Sequence, residues 1–317
     1  MSAAAPSTDL PFGPVDPRDE ATHPAGPELL WSESYYLDFC SHDGSIGGYV
    51  RVGRYPNIGP DGVIWYWACV VGPDRSLVTV IDHTVPFPSS YGSLELRNDG
   101  LWADHHAQTP LEHFTLGLEA FGVRLDDPAD TYHGLRGERT PLGLDLEWDT
   151  DGIPFRWPDG MDRYEIPCNV HGEILVGDER IELDGIGQRD HSWGERDWWV
   201  RGWCWTAFRM DDGTRYHAVT ILPSEGFAIG YRQAPGAGIE LVTAFDARPE
   251  LGGDAIPTSA ALDVAGVPMT VEPLGWSPVL MVSPDGREAR FPRAMARFHA
   301  ADGSSGLGWI EFNQPPT

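Results

Sequence analysis

Between Gly185 and Trp205 the chain reads Gly-Ile-Gly-Gln-Arg-Asp-His-Ser-Trp-Gly-Glu-Arg-Asp-Trp-Trp-Val-Arg-Gly-Trp-Cys-Trp. This stretch holds Trp193, Trp198, Trp199, Trp203 and Trp205, five of the 13 tryptophans. Arg189, Asp190, His191, Glu195, Arg196, Asp197 and Arg201 lie among them. Large rings beside paired charges suit a pocket wall, where the rings supply contact area and a few polar groups give direction. The same residue types also weld domain junctions, because buried charges are usually paired for structural reasons. Strand geometry constrains either use. In an extended backbone Arg189, His191 and Trp193 share one face, while Gln188, Asp190 and Ser192 share the other. Asp190 and His191 then reach one cavity only if a bulge at Gly187 or Gly194 intervenes.

The other chemical candidates carry less. Asp82-His83 and Asp104-His105-His106 lack H-E-x-x-H or comparable metal-ligand spacing, so these histidines are expected in exposed loops and no metal is expected. Ser192 lacks the G-x-S-x-G elbow of a serine hydrolase. The glycines of Gly185-Ile-Gly187 fall between strands instead of opening a helix, which fails the dinucleotide test. Trp65-Tyr66-Trp67 reads as a core strand. Cys40, Cys69, Cys168 and Cys204 are widely spaced and read as small buried hydrophobes, not as a disulfide or zinc framework.

The 317 residues include 37 glycines and 28 prolines, which leaves little room for long helices. Short runs alternate instead. Tyr164, Ile166, Cys168, Val170, Ile174 and Val176 share one face of a half-buried strand, with Glu165, Asn169, His171 and Glu173 on the other. Gly177-Asp178 then turns the chain into a hairpin, and Asp211-Asp-Gly213 and Asp302-Gly303 mark two more turns. Leu142–Trp148, Trp203–Ala207, Ala294–Phe298 and Gly308–Phe312 also read as strands. Leu111–Leu125 fits helical and strand spacing alike. Gly117 and Gly122 decide for a strand, since each costs a helix ~1 kcal/mol relative to Ala. The expected fold is all-β, with a loose arm over residues 1–27 and two consecutive antiparallel barrel domains over residues 28–195 and 196–317.

Charge narrows the partners. The formal net charge is −26, with 48 acidic residues against 22 basic ones, and every basic residue is arginine. Such a surface repels phosphate backbones, so nucleic acid and anionic membranes are not expected partners. The absence of lysine excludes a Schiff-base lysine, a P-loop lysine and pyridoxal-phosphate attachment. No apolar run approaches the ~20 residues of a membrane span, and no signal peptide is recognisable, so a cytoplasmic location is expected.

The run Gly185-x-Gly187-x-x-Asp190-His191-x-Trp193-Gly194, followed by Gly202-Trp203-x-Trp205 and Asp212-Gly213, resembles the junction of the tandem lipocalin-like (calycin) proteins. That superfamily includes carotenoid 1,2-hydratase (hydroxyneurosporene synthase) and the AttH-like proteins. Gly47–Pro56 and Asp302–Glu311 look like an actinobacterial branch of it. The resemblance implies two lipocalin-like domains from about Trp31 to Phe312, no cofactor, and a small apolar ligand, isoprenoid or similar. It also implies either acid-catalysed water addition to a C=C bond (or a related cyclase or isomerase reaction) or a non-catalytic carrier. In that reading Asp190 is the acid and His191 orients it or a water, while Trp193, Trp203, Trp205 and Arg189 contact the ligand.

Overall fold

Alternating apolar residues punctuated by Gly and Pro leave one economical way to satisfy backbone hydrogen bonds, which is pairing with neighbouring strands. The computed structural model describes residues 10–223 and 226–315, and there the chain does this almost throughout. The first sheet comprises β1 (Trp31–Ser41), β2 (Gly47–Tyr55), β3 (Val63–Gly72), β4 (Arg75–Val85), β5 (Glu95–Asn98), β6 (Leu101–Thr109), β7 (His113–Leu125), β8 (Glu138–Thr150), β9 (Phe155–Arg156), β10 (Arg163–Val176) and β11 (Glu179–Glu195). The second comprises β12 (Gly202–Met210), β13 (Arg215–Leu222), β14 (Ala228–Gln233), β15 (Glu240–Leu241), β16 (Phe245–Leu251), β17 (Pro257–Val264), β18 (Val267–Trp276), β21 (Arg293–Ala300) and β22 (Ser305–Asn313); β19 (Val279–Val282) and β20 (Glu288–Phe291) pair separately.

In the first sheet the order β4-β3-β2-β1-β11-β10-β8-β7 closes on itself, because Leu77–Thr79 of β4 pair with Val123–Leu125 of β7. Inside this barrel lie Tyr35, Leu37, Phe39, Leu116, Leu118, Leu144, Trp148, Tyr164 and Ile166. Leu111–Leu125 is a strand from His113 on, as its glycines require. The second sheet runs β15-β14-β13-β12-β22-β21-β18-β17-β16 and curls until Tyr216 and Ala218 of β13 share a core with Phe245 and Ala247 of β16. The architecture is therefore all-β with two consecutive barrel-like units. The turns fall where Asp-Gly placed them: Gly213 (φ 83°) and Gly303 (φ 91°) take left-handed conformations that glycine adopts without steric cost.

A third core lies between the units. Tyr36, Cys40, Tyr49, Trp65, Trp67 and Cys69 point outward from the first barrel and pack with Trp205, Tyr231, Met295 and Trp309 of the second. Tyr66, between two of these tryptophans, points into the first barrel. All four cysteines are buried and free. The arm also packs, in contrast to the expected loose segment: its Pro17–Glu20 turn carries Glu20 into the barrel, and Val15 is buried. His83 and His105 differ from expectation too. Both sit on strands, His83 accepting the Trp67 indole N–H at 2.8 Å and His105 buried beside Leu94. Among the described residues no helix is long and apolar enough to cross a membrane.

The Gly-x-Gly of β11 has a packing cause. A Cβ on Gly187 would stand 2.0 Å from the Asp38 carbonyl oxygen and 2.8 Å from Val170, and one on Gly185 2.1 Å from the Cys40 carbonyl oxygen. Gly187→Val should therefore lower stability by at least ~2 kcal/mol in urea unfolding. Gly253→Ala, where the added Cβ meets nothing within 4 Å, should leave stability nearly unchanged.

Candidate functional site

Strand β11 pairs with β1 and β10 in a register that sets Tyr35 and Tyr164 opposite His191, and Tyr36 and Glu165 opposite Asp190. No bulge separates Asp190 from His191, so the two side chains leave the strand on opposite faces and enter different interiors. Each interior is polar at this end.

Arg189 and His191 point into the first barrel, where the arm meets them. Arg189 is paired with Glu20 at 2.8 Å, and both are buried. His191 stacks on Tyr35 at 3.9 Å between centroids, and its Nδ1 lies 2.7 Å from the Asp19 carbonyl oxygen. A carbonyl oxygen only accepts, so that nitrogen carries a proton. Its Nε2 is 3.2 Å from Glu33 Oε1. The same oxygen accepts from the backbone and ring of His23, at 2.7 and 2.9 Å, while Arg54 binds the other oxygen. Burial alone would raise the Glu33 carboxyl; the bonds from His191 and His23 outweigh it and hold the group at about 2. His23, Glu33 and His191 each offer a ligand atom within 4.8 Å of the others, but here they are bonded to one another through Glu33 Oε1.

Asp190 points the other way, between the units. It takes a 2.8 Å bond from Arg163, which also binds Glu165 at 2.7 Å. Glu165 is fully buried and further bonded by Gln188 (3.0 Å) and Trp205 Nε1 (3.3 Å), with His217 Nε2 3.3 Å away. Burial pushes Asp190 up to about 6 against the pull of Arg163, raises Glu165 and Glu311, and drives His217 well below its usual range. In front of this network opens a cavity of about 510 Å³. Its walls are Trp157, Trp193, Trp198, Trp203 and Trp205, with Arg163, Arg196 and Glu311 among them. Arg293 pairs with Glu311 at 2.6 Å and lies 4.1 Å over the Tyr36 ring.

The structure thus brings Trp193, Trp203 and Trp205 to one cavity and sets Asp190 behind its Arg163 wall. Arg189 and His191 lie outside it. Trp193 stands at the edge, stacked on His23 at 3.7 Å. Sequence reasoning did not single out Arg163, Glu165, Arg293 and Glu311. The alternation of β10 did put Glu165 on the face opposite Tyr164, but only the second unit's packing makes that face an interior.

Glu33 supplies a pH prediction. Its folded pKa of about 2 lies below the ordinary 4.5, so its contribution is complete above 4.5 and is lost as pH falls toward 2. Glu33→Gln should cost about 3 kcal/mol or more at pH 7 and progressively less between pH 4.5 and 2, read from urea midpoints across that range.

No curated protein matches the chain by sequence. By fold it is similar to an AttH-type protein from Nitrosomonas europaea, with TM-score 0.67 and 14% identity over 96% of this chain and 98% of that one. It is also similar to kievitone hydratase from Nectria haematococca (TM-score 0.56, 10% identity, 99% and 96% covered) and to CghA bound to Sch210972 (TM-score 0.55, 12% identity, 90% and 88% covered). At such identities the likeness is one of fold, and it agrees with the lipocalin-like barrel fold expected from the junction residues. Over residues 16–316 the sequence matches DUF7064, a domain of unknown function, and the chain belongs to that family.

Proposed function

We propose that the cavity between the two units binds a largely apolar small molecule, isoprenoid or similar, and adds water to one of its C=C bonds or catalyses a related isomerisation. The observation that carries this reading is the pairing of a tryptophan-walled cavity of about 510 Å³ with buried carboxyls held toward their protonated forms. Aromatic faces steady a developing carbocation, and a carboxylic acid near pKa 6 supplies the proton that creates it. In the balanced cycle the Asp190 carboxyl gives its proton, relayed past Arg163 by a cavity water, to one alkene carbon. Water adds to the cation at the other, and the proton that this water sheds returns to the Asp190 carboxylate. Glu311, which lines the wall, positions the water. Trp203 and Trp205 face the cation, Trp193 closes the rim, and His191 acts as a positioning residue that anchors the arm behind Trp193. The named activity of kievitone hydratase is in keeping with this class of reaction.

One observation favours a carrier instead: Asp190 stands behind Arg163 and does not itself line the cavity. The test separates the two. Native mass spectrometry of protein from its own host identifies a co-purifying apolar molecule, which is then incubated with enzyme in ¹⁸O-water. Hydration incorporates ¹⁸O. Asp190→Asn should lower the rate by roughly 10²–10⁴-fold with affinity changed only a few-fold. The wild-type rate should fall as pH rises through about 6, where Asp190 loses its proton. Binding without ¹⁸O incorporation at any pH supports the carrier, with Trp203→Ala weakening affinity.

A further inference from the structure

The cavity wall is unevenly supplied with charge partners. Arg163 has Asp190 and Glu165, and Arg293 has Glu311. Around Trp198 the pattern breaks. Arg51 lies 5.0 Å from the centre of that ring and Arg196 5.5 Å. Arg51 is 3% exposed, and its side chain makes one hydrogen bond, a long one of 3.5 Å to the Tyr55 hydroxyl. Arg196 makes one, of 3.0 Å to Ser192 Oγ. Among the described residues neither guanidinium has an ion pair. Nearby acids are already committed: Asp190 to Arg163, and Asp197 to Arg287 and the Trp199 backbone.

Unmet donors occur at and behind the cavity wall. Arg51 Nη1, Trp157 Nε1 and Trp198 Nε1 are buried without a hydrogen-bond partner, and both tryptophans line the cavity. Asp162 and Glu195 also line the cavity, but among the described residues neither pairs with Arg51 or Arg196, and Glu311 is held by Arg293. Burial and the like charges of Arg163 and Arg51 depress Arg196 to about 10, the direction expected of a cation short of counter-charge. Water could satisfy the N–H groups but would leave the buried Arg51 charge and the half-buried Arg196 charge without a counter-ion; an oxyanion answers both needs.

We infer that the corner formed by Arg51, Arg196 and Trp198 is an anion subsite, and that the cavity's ligand is an amphipathic acid. Its carboxylate or equivalent oxyanion lies against Arg196, and its apolar body lies along Trp203 and Trp205. The inference rests on the proposed reading that the cavity receives an apolar body, and it adds the charged end. It also fixes orientation, since an anchored headgroup sets which segment of the body faces Asp190 and Glu311.

The test uses two fluorescent probes with the same aromatic body, 8-anilinonaphthalene-1-sulfonate and the uncharged N-phenyl-1-naphthylamine, titrated into the full chain. Wild type should bind the sulfonate roughly tenfold or more tightly than the neutral probe, the yield of one charge-assisted contact. In Arg196→Gln the preference should shrink to about twofold with neutral-probe affinity unchanged. Circular dichroism checks that the variant is folded, and Trp198→Phe, which keeps the ring and removes the orphan N–H, gives a second reading in the same direction. Equal affinity of wild type for both probes, or a preference that survives both substitutions, overturns the subsite while leaving the apolar cavity standing. Failure of both probes to bind overturns the subsite together with the cavity reading beneath it.

Discussion

A β-strand has two faces, and β11 commits both of them to buried interiors. Most sheets give one face to a core and the other to water, which lets polar residues occupy alternate positions at little cost. Along Gln188–Ser192 that outlet is missing: all five residues are buried, and not one of them is a hydrophobe. Every polar atom must then find a protein partner, because a buried unpaired charge costs several kcal/mol. The arm supplies partners on one side, through Glu20 to Arg189 and the Asp19 carbonyl to His191. The second unit and β10 supply them on the other, through Arg163, Glu165 and Tyr231, whose hydroxyl donates to Gln188 at 3.1 Å. Ordering of the arm and docking of the units are thus linked through one strand.

The two polar interiors differ in which protonation state of their carboxyls they favour. At the barrel end the Glu33 carboxylate accepts three N–H bonds on one oxygen and Arg54 on the other, and its depressed pKa records a group more comfortable charged than in water. Between the units the carboxyls are displaced in the opposite direction, toward the proton. One buried acid on β1 and others on β10, β11 and β22, displaced oppositely by their surroundings, divide as structural anchoring and proton-transfer chemistry require.

Much of this was legible in the sequence, for physical reasons. Asp-Gly turns, glycine-punctuated alternation and the composition fixed an all-β chain because turn geometry and side-chain period are local properties. The split of Arg189, His191 and Trp193 from Asp190 was legible too, since only a bulge could have undone it. What sequence could not supply were long-range facts. Glu165 reads as a solvent-facing residue of β10 until Trp205, 40 positions on, is laid over it. Glu311 sits in an ordinary alternating strand and becomes notable only beside Arg293 and Trp203. The arm's Pro and Asp content signals a loop, and nothing local reveals that Glu20 has a cationic partner 169 residues away.

The distribution of charge argues that the inter-unit network is kept for more than cohesion. Replacing a buried ion pair with apolar residues of similar volume is often neutral or stabilising, so cohesion alone would favour extending the aromatic core already present on both sides. Trp67 and Trp309 belong to such a core, with the His83 ring and the Phe39 carbonyl accepting their indole N–H groups. Yet where the interface opens into a cavity, the chain places Arg163, Arg196, Arg293, Asp190 and Glu311 in or behind the wall. It leaves Trp157 and Trp198 with unmet N–H groups in the same place. Unmet donors and proton-biased acids raise the free energy of the folded chain when no ligand is bound. They become favourable once a ligand supplies acceptors and excludes water, which is the arrangement a binding or catalytic cavity needs and a passive junction does not.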